Sequence, residues 1–150
     1  MILVSKILAP VDFSTGSDAS VEYAVALAQT LHSAVTLFHV CQSSDLMESI
    51  VPEAVCAVDT ENDRTFAQHE LEKIRSKIGK GTDVAMYVVV SRGAPAPTIT
   101  SFSRKEGFDM VVIGAHGRTG LRRLLMGSVA EEVVRGARCP ILTIHIPLPQ

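Results

Sequence analysis

The sequence predicts an α/β protein, a five-stranded parallel sheet covered by helices on both faces, as one three-layer domain over residues 1–150. Three observations predict it. Short aliphatic and β-branched runs alternate five times with stretches of helical character, the pattern of successive β–α units with right-handed crossovers. Several runs are close to continuously apolar, as strands buried on both faces are. Hydrophobic residues make up 47% of the chain and mean hydropathy is +0.26, which suits a doubly covered sheet. At 150 residues the chain is long enough for one sizeable core.

The elements follow in order. Val4 to Val11 is aliphatic and ends at Asp12, so it reads as the first strand. Asp12 to Asp18 is turn chemistry with several N-cap residues. A helix over Ser17 to His32 places Ala24, Leu27, Ala28 and Leu31 on one face. Val35 to Val40 is strand two. Cys41 to Asp59, about 19 residues, is irregular and long for a connection, so a mobile loop with at most one short helical turn is expected. Thr60 to Ile78 is a helix with Ala67, Leu71, Ile74 and Ile78 as its buried stripe. Thr60 with Asp63 three residues later resembles a capping box, with Asp in place of the usual Glu, and Gly79 ends the helix. Val84 to Val90 is strand three, and a short helix with Pro95 in its first turn runs to Glu106. Asp109 to Ile113 is strand four. The last helix runs from Ser128 to about Ala137 with Val129, Val133 and Val134 as its apolar positions, and Ile141 to Ile146 is strand five.

Bulk properties exclude several function classes. A net charge of −2 argues against broad adsorption to nucleic acid or membranes. No apolar run reaches the roughly 18–20 residues that span a bilayer. Lys6 and Pro10 interrupt the first apolar run and no small-residue cleavage site follows it, so it reads as a strand and not a signal peptide. Cys41, Cys56 and Cys139 are widely spaced, without CxxC or Cys/His metal spacing, which fits reduced thiols in a cytoplasm.

The chemistry concentrates after strand four. Gly114-x-x-Gly117 is followed, nine residues on, by Gly127-Ser128 at a helix start, with Arg118, Arg122 and Arg123 between. Glycines let a backbone approach a ligand closely. A helix N-terminus presents N–H groups and partial positive charge that suit an anion. The loop therefore reads as a phosphate cradle, and a plain βα loop with Ser128 as ordinary N-cap is the alternative. It is neither a Walker A loop nor the G-x-G-x-x-G fingerprint. Asp12, ending the first strand, suits a ribose hydroxyl or an exocyclic amine, and capping of the following turn is its other role. His116 reads as orienting the loop. Arg118 is the better phosphate ligand of the three arginines. His32, His39, His69 and His145 read as surface or satisfied core residues.

The G-x-x-G-x9-G-S spacing resembles the nucleotide loop of the universal stress protein family, and Pro10-Val11-Asp12 and Gly93-x-Pro95 match further family patterns. The resemblance covers almost the whole chain. It implies a Rossmann-like fold of the adenine nucleotide alpha hydrolase type with strand order 3-2-1-4-5. It further implies an adenine nucleotide site in which Pro10, Val11, Asp12 and Val40 surround adenosine. The resemblance likewise implies that Ile113, Gly114, Gly117, Arg118, Gly127, Ser128 and Val129 lie along the nucleotide and its phosphates. The implied cofactor is ATP with Mg²⁺ or Mn²⁺ held mainly by the phosphates.

The implied partner is a second copy of the chain, paired through Ile141 to Ile146 as an exposed edge strand. The expected activity is regulation by nucleotide occupancy in a cytoplasmic stress-response protein, with no catalytic residue assigned. A slow ATPase on the same site and an interaction module without nucleotide are the alternatives. A phosphoacceptor receiver domain is excluded, because strands three and five end at Val90-Ser91 and His145-Ile146 instead of aspartate and lysine.

Overall fold

The structure, a computed structural model, describes residues 1–42, 53–116 and 126–146. β1 (Lys6–Pro10) leads to α1 (Thr15–Leu31) and β2 (Ala34–Cys41). α2 (Glu53–Gly79), β3 (Met86–Arg92), α3 (Pro95–Lys105), β4 (Met110–Gly114), α4 (Ser128–Gly136) and β5 (Ile141–Ile144) follow. The five strands form one parallel sheet in the order β3-β2-β1-β4-β5. This is the strand order that the sequence resemblance implies.

Side chains alternate across each strand, so the apolar runs feed two cores at once. Ile7, Ala9, Val35, Leu37 and Val112 join Val21, Ala24 and Val25 of α1 and Leu71 of α2 on one face. Leu8, Phe38, Val40, Val111 and Ile113 join Ile99 of α3 and Val133 of α4 on the other. Phe38 and Phe102 stack there with ring centroids 4.3 Å apart. Burying each such side chain contributes about 1.5–3 kcal/mol before the entropy of ordering it is subtracted.

Local bonds set the element ends. Ser14 caps α1, its Oγ accepting from Ser17 N at 3.2 Å. α1 closes on His32, which adopts the left-handed conformation at φ 55°. The start of β1 is tied to β4 by Asp109, whose Oδ2 accepts from Ser5 N and Lys6 N at 2.8 and 2.9 Å. Cys41 and Cys139 are free thiols, and burial pushes both up from the ordinary thiol value.

Several expectations need correction. The helix expected from Thr60 begins at Glu53, so it takes up 53–59 of the stretch read as irregular, and Thr60 is not its N-terminus. Between Glu53 and Gly79 the chain has no glycine or proline, and a nucleated helix propagates through such a run at little cost. Residues 43–52 of that stretch lie outside the described residues. β3 is shifted two residues C-terminal, because β2 pairs with it from Val35↔Met86 to Cys41↔Arg92. As an edge strand it keeps only Val90 buried, and Tyr87 is exposed. In α1 the buried face is Ser17, Ser20, Val21, Ala24, Val25 and Ala28, whereas Leu31, the last residue of the helix, is exposed. In α4 Ala130 and Val133 are buried and Val134 faces outward.

Leu71, fully buried between α2 and the sheet, and the exposed Val134 make a direct test of this packing. Leu71→Ala should destabilise the protein by about 2–5 kcal/mol. Val134→Ala should change it by less than about 0.5 kcal/mol. Urea unfolding of both variants at equal m-value measures the two.

Candidate functional site

β1 and β4 lie side by side, with Ile7↔Met110 and Leu8↔Val111 in register. The chain leaves them toward opposite faces, since α1 packs with the Ile7 core and α4 with the Leu8 core. Divergent exits of this kind open a crevice at the carboxyl ends of the two strands. The crevice is a cleft of about 460 Å³.

Its inner wall is apolar, formed by Val11, Val40, Phe38 and Ile113 at the sheet end and Ile99 from α3. Asp12 stands at the rim. Gly114, Ala115 and His116 form the β4 side, and Gly127, Ser128, Val129 and Ala130 bring in the start of α4. Of the expected site residues, Pro10, Val11, Asp12, Val40, Ile113, Gly114, Gly127, Ser128 and Val129 line this one cleft. Gly117 and Arg118, with Arg122 and Arg123, lie outside the described residues.

The helix starts at the cleft differ in their caps. α1 is closed by Ser14 Oγ. The N-cap of α4 is Gly127, at φ −59° and ψ 154°, with no side-chain bond to the first turn. Ser128 is thus the first helical residue and not the cap, which overturns that alternative for it. The first bond back to the cap runs from Glu131 N to Gly127 O at 2.9 Å. The N–H groups of Ser128, Val129 and Ala130 precede it and belong to the helix end where partial positive charge gathers. Gly127 N is itself held by Ala115 O at 2.6 Å, which fixes the entry to α4 against the end of β4.

Asp12 does cap its own turn. Its Oδ1 accepts from Ser14 N at 3.0 Å and from Ser14 Oγ. Phe13 between them has φ 63°, a left-handed backbone that costs an ordinary residue about 1–2 kcal/mol. Its ring lies against His39, centroids 4.5 Å apart. His39 Nδ1 is 2.7 Å from Val11 O; a carbonyl only accepts, so this nitrogen carries the donated proton. His116 meets His145 edge to face at 5.7 Å between centroids.

Sequence reasoning missed three participants. Gly16 in the first turn of α1 has its bare side against the β4 exit. A Cβ there would sit 2.8 Å from His116 O, and one on Gly114 would sit 3.1 Å from Gly16 O. The two glycines let two backbones touch, and the local signal for Gly16 was a glycine in a first helical turn, where it is a poor helix former. Phe13 and His39 gave no local signal, because their contact joins residues on separate elements.

The model of the universal stress protein family matches residues 4–145. Universal stress protein MJ0531 of Methanocaldococcus jannaschii is 32% identical over 97% of this chain and 84% of its own length. Among solved structures, MJ0577 of the same organism superposes with a TM-score of 0.87 at 24% identity, covering 99% of this chain and 100% of that one. The universal stress protein of Archaeoglobus fulgidus in complex with dAMP superposes at 0.60 with 18% identity, covering 95% and 98%. These superpositions establish a shared fold.

The Gly16 contact yields a test. Gly16→Ala should force the His116 backbone outward and destabilise the protein by about 1–3 kcal/mol. Gly136→Ala, whose Cβ would meet Thr100 Cγ2 at an ordinary 3.4 Å, should leave stability unchanged or raise it by up to about 1 kcal/mol. Thermal unfolding of the pair distinguishes them.

Proposed function

The chain belongs to the universal stress protein family, and on that footing we propose that it binds an adenine nucleotide in the cleft between β1 and β4 and acts as a nucleotide-dependent regulator. The observation that carries this reading is the cleft's two-part wall: an apolar inner surface ending at a helix N-terminus whose N-cap, Gly127, has no side chain to close it. A planar base suits the first part and a phosphate the second. The volume of about 460 Å³ is in the range of small-ligand sites. The dAMP complex of the Archaeoglobus fulgidus protein, on the same fold, supports an adenine nucleotide as the ligand class.

In this reading Val11, Val40 and Ile113 hold the adenine, and Asp12 accepts from the ribose or the exocyclic amine. The phosphates lie along Gly127 and the N–H groups of Ser128 and Val129, with Gly114, Gly117 and Arg118 completing the cradle. ATP is the proposed nucleotide, with Mg²⁺ or Mn²⁺ riding on its phosphates. Residues 1–150 work as one nucleotide-binding unit in the cytoplasm. The active form is a homodimer through the last strand. Leu142, exposed on the edge strand β5, and Ile146 just beyond it favour that pairing.

Calorimetric titration of nucleotide-free protein with Mg-ATP tests the site. One saturable binding event per chain is expected, weakened at least about tenfold in Gly127→Asp, which places a carboxylate where the phosphates lie. A folded, nucleotide-free wild type that takes up no Mg-ATP overturns the reading. For the dimer, light scattering should give about twice the chain mass of 16.1 kDa at micromolar concentration. Leu142→Lys should shift the mass to that of one chain, and a monomeric wild type would refute the pairing.

A further inference from the structure

We propose that Phe13 is a positioning residue of the nucleotide site, acting through Asp12. The inference rests on the nucleotide reading above and deepens it. Phe13 does not line the cleft, whereas its neighbours Val11 and Asp12 do. It occupies the left-handed region at φ 63°, where glycine sits freely and a bulky residue is rare.

That backbone turn brings Ser14 back onto Asp12. Ser14 N and Ser14 Oγ both donate to Asp12 Oδ1, and the same Oγ accepts from Ser17 N. One left-handed residue thereby sets the direction of the carboxylate and the start of α1 together. Glycine would adopt this conformation without strain but would leave the turn free to open. The phenyl ring adds what glycine lacks, packing against the core beneath α1 and facing the His39 ring at 4.5 Å and 32°.

His39 is fixed in its turn. Its Nδ1 donates to Val11 O at 2.7 Å, and Val11 N donates to Phe38 O at 2.8 Å. The backbone before Asp12 is therefore bonded to β2 twice, and the residue after it is braced on a β2 side chain. Asp12 sits between these two supports. Strained backbone held by its surroundings beside a cleft marks preorganisation of the group it carries. The carboxylate meets the nucleotide already aimed, so binding does not have to order the turn.

The test is a double-mutant cycle on Mg-ATP affinity with wild type, Phe13→Gly, Asp12→Asn and the double variant. Phe13→Gly should weaken binding about tenfold, equal to about 1.4 kcal/mol. In the Asp12→Asn background the same change should weaken it less than about twofold, because the group it positions is already altered. Phe13→Tyr, which keeps the ring, should bind as wild type does. Should Phe13→Gly fail to fold, Phe13→Leu replaces it in the cycle with the same expectation, since it keeps bulk and loses the ring contact. Equal losses in both backgrounds would mean that the ring serves stability alone and would overturn the proposal, as would unchanged affinity in Phe13→Gly. A wild type that binds no Mg-ATP overturns the nucleotide reading itself, a different result from a wild type that binds and a cycle that shows no coupling.

Discussion

The parallel pairing of β1 with β4 is the constraint on which the rest of the molecule depends. Two neighbouring strands run the same way, yet their chains depart to opposite faces of the sheet. No helix can cross directly over the gap between those exits, so a crevice remains at their carboxyl ends. Several of the candidate site residues are delivered there. Asp12 arrives at the end of β1, Gly114 to His116 at the end of β4, and the start of α4 closes the far side.

Holding that crevice open requires backbones to meet where side chains normally keep them apart. α1 begins against the end of β4, and the contact is between Gly16 and the carbonyl of His116, with Gly114 facing Gly16 in return. The entry to α4 is pinned by the bond from Gly127 N to Ala115 O. The first junction uses glycine for close approach, so Gly114 has a packing role whatever the cleft holds. The apolar wall needs no such device. It is the cleft end of the core that contains Phe38, Val40 and Ile113.

The fold was largely legible because its signals are local. Continuous apolar runs such as Val111-Val112-Ile113 announce strands covered on both faces, and the structure buries all three residues. The helix starting at Glu53 was misread because Thr60 and Asp63 resemble a start signal, whereas the helix runs on N-terminally to Glu53 and makes them internal. The buried face of α1 was misplaced for a related reason. Leu31 looks apolar enough to be buried, but it is the last residue of the helix and stays exposed, and the small residues Ser17, Ser20 and Ala24 are buried instead.

The sequence by itself determined the α/β alternation, the residues available to each core and the polar groups that end β1 and begin α4. These follow from side-chain period and glycine spacing, which are properties of neighbouring residues. The strand order was available only through resemblance to a family. Tertiary structure alone decided that Gly16 must lack a side chain, that Phe13 is held left-handed against His39, and that Ser128 opens a helix it does not cap. The first two join residues whose need for one another arises only once separate elements touch. The third depends on where β4 delivers the chain, since Ala115 holds Gly127 at the helix start.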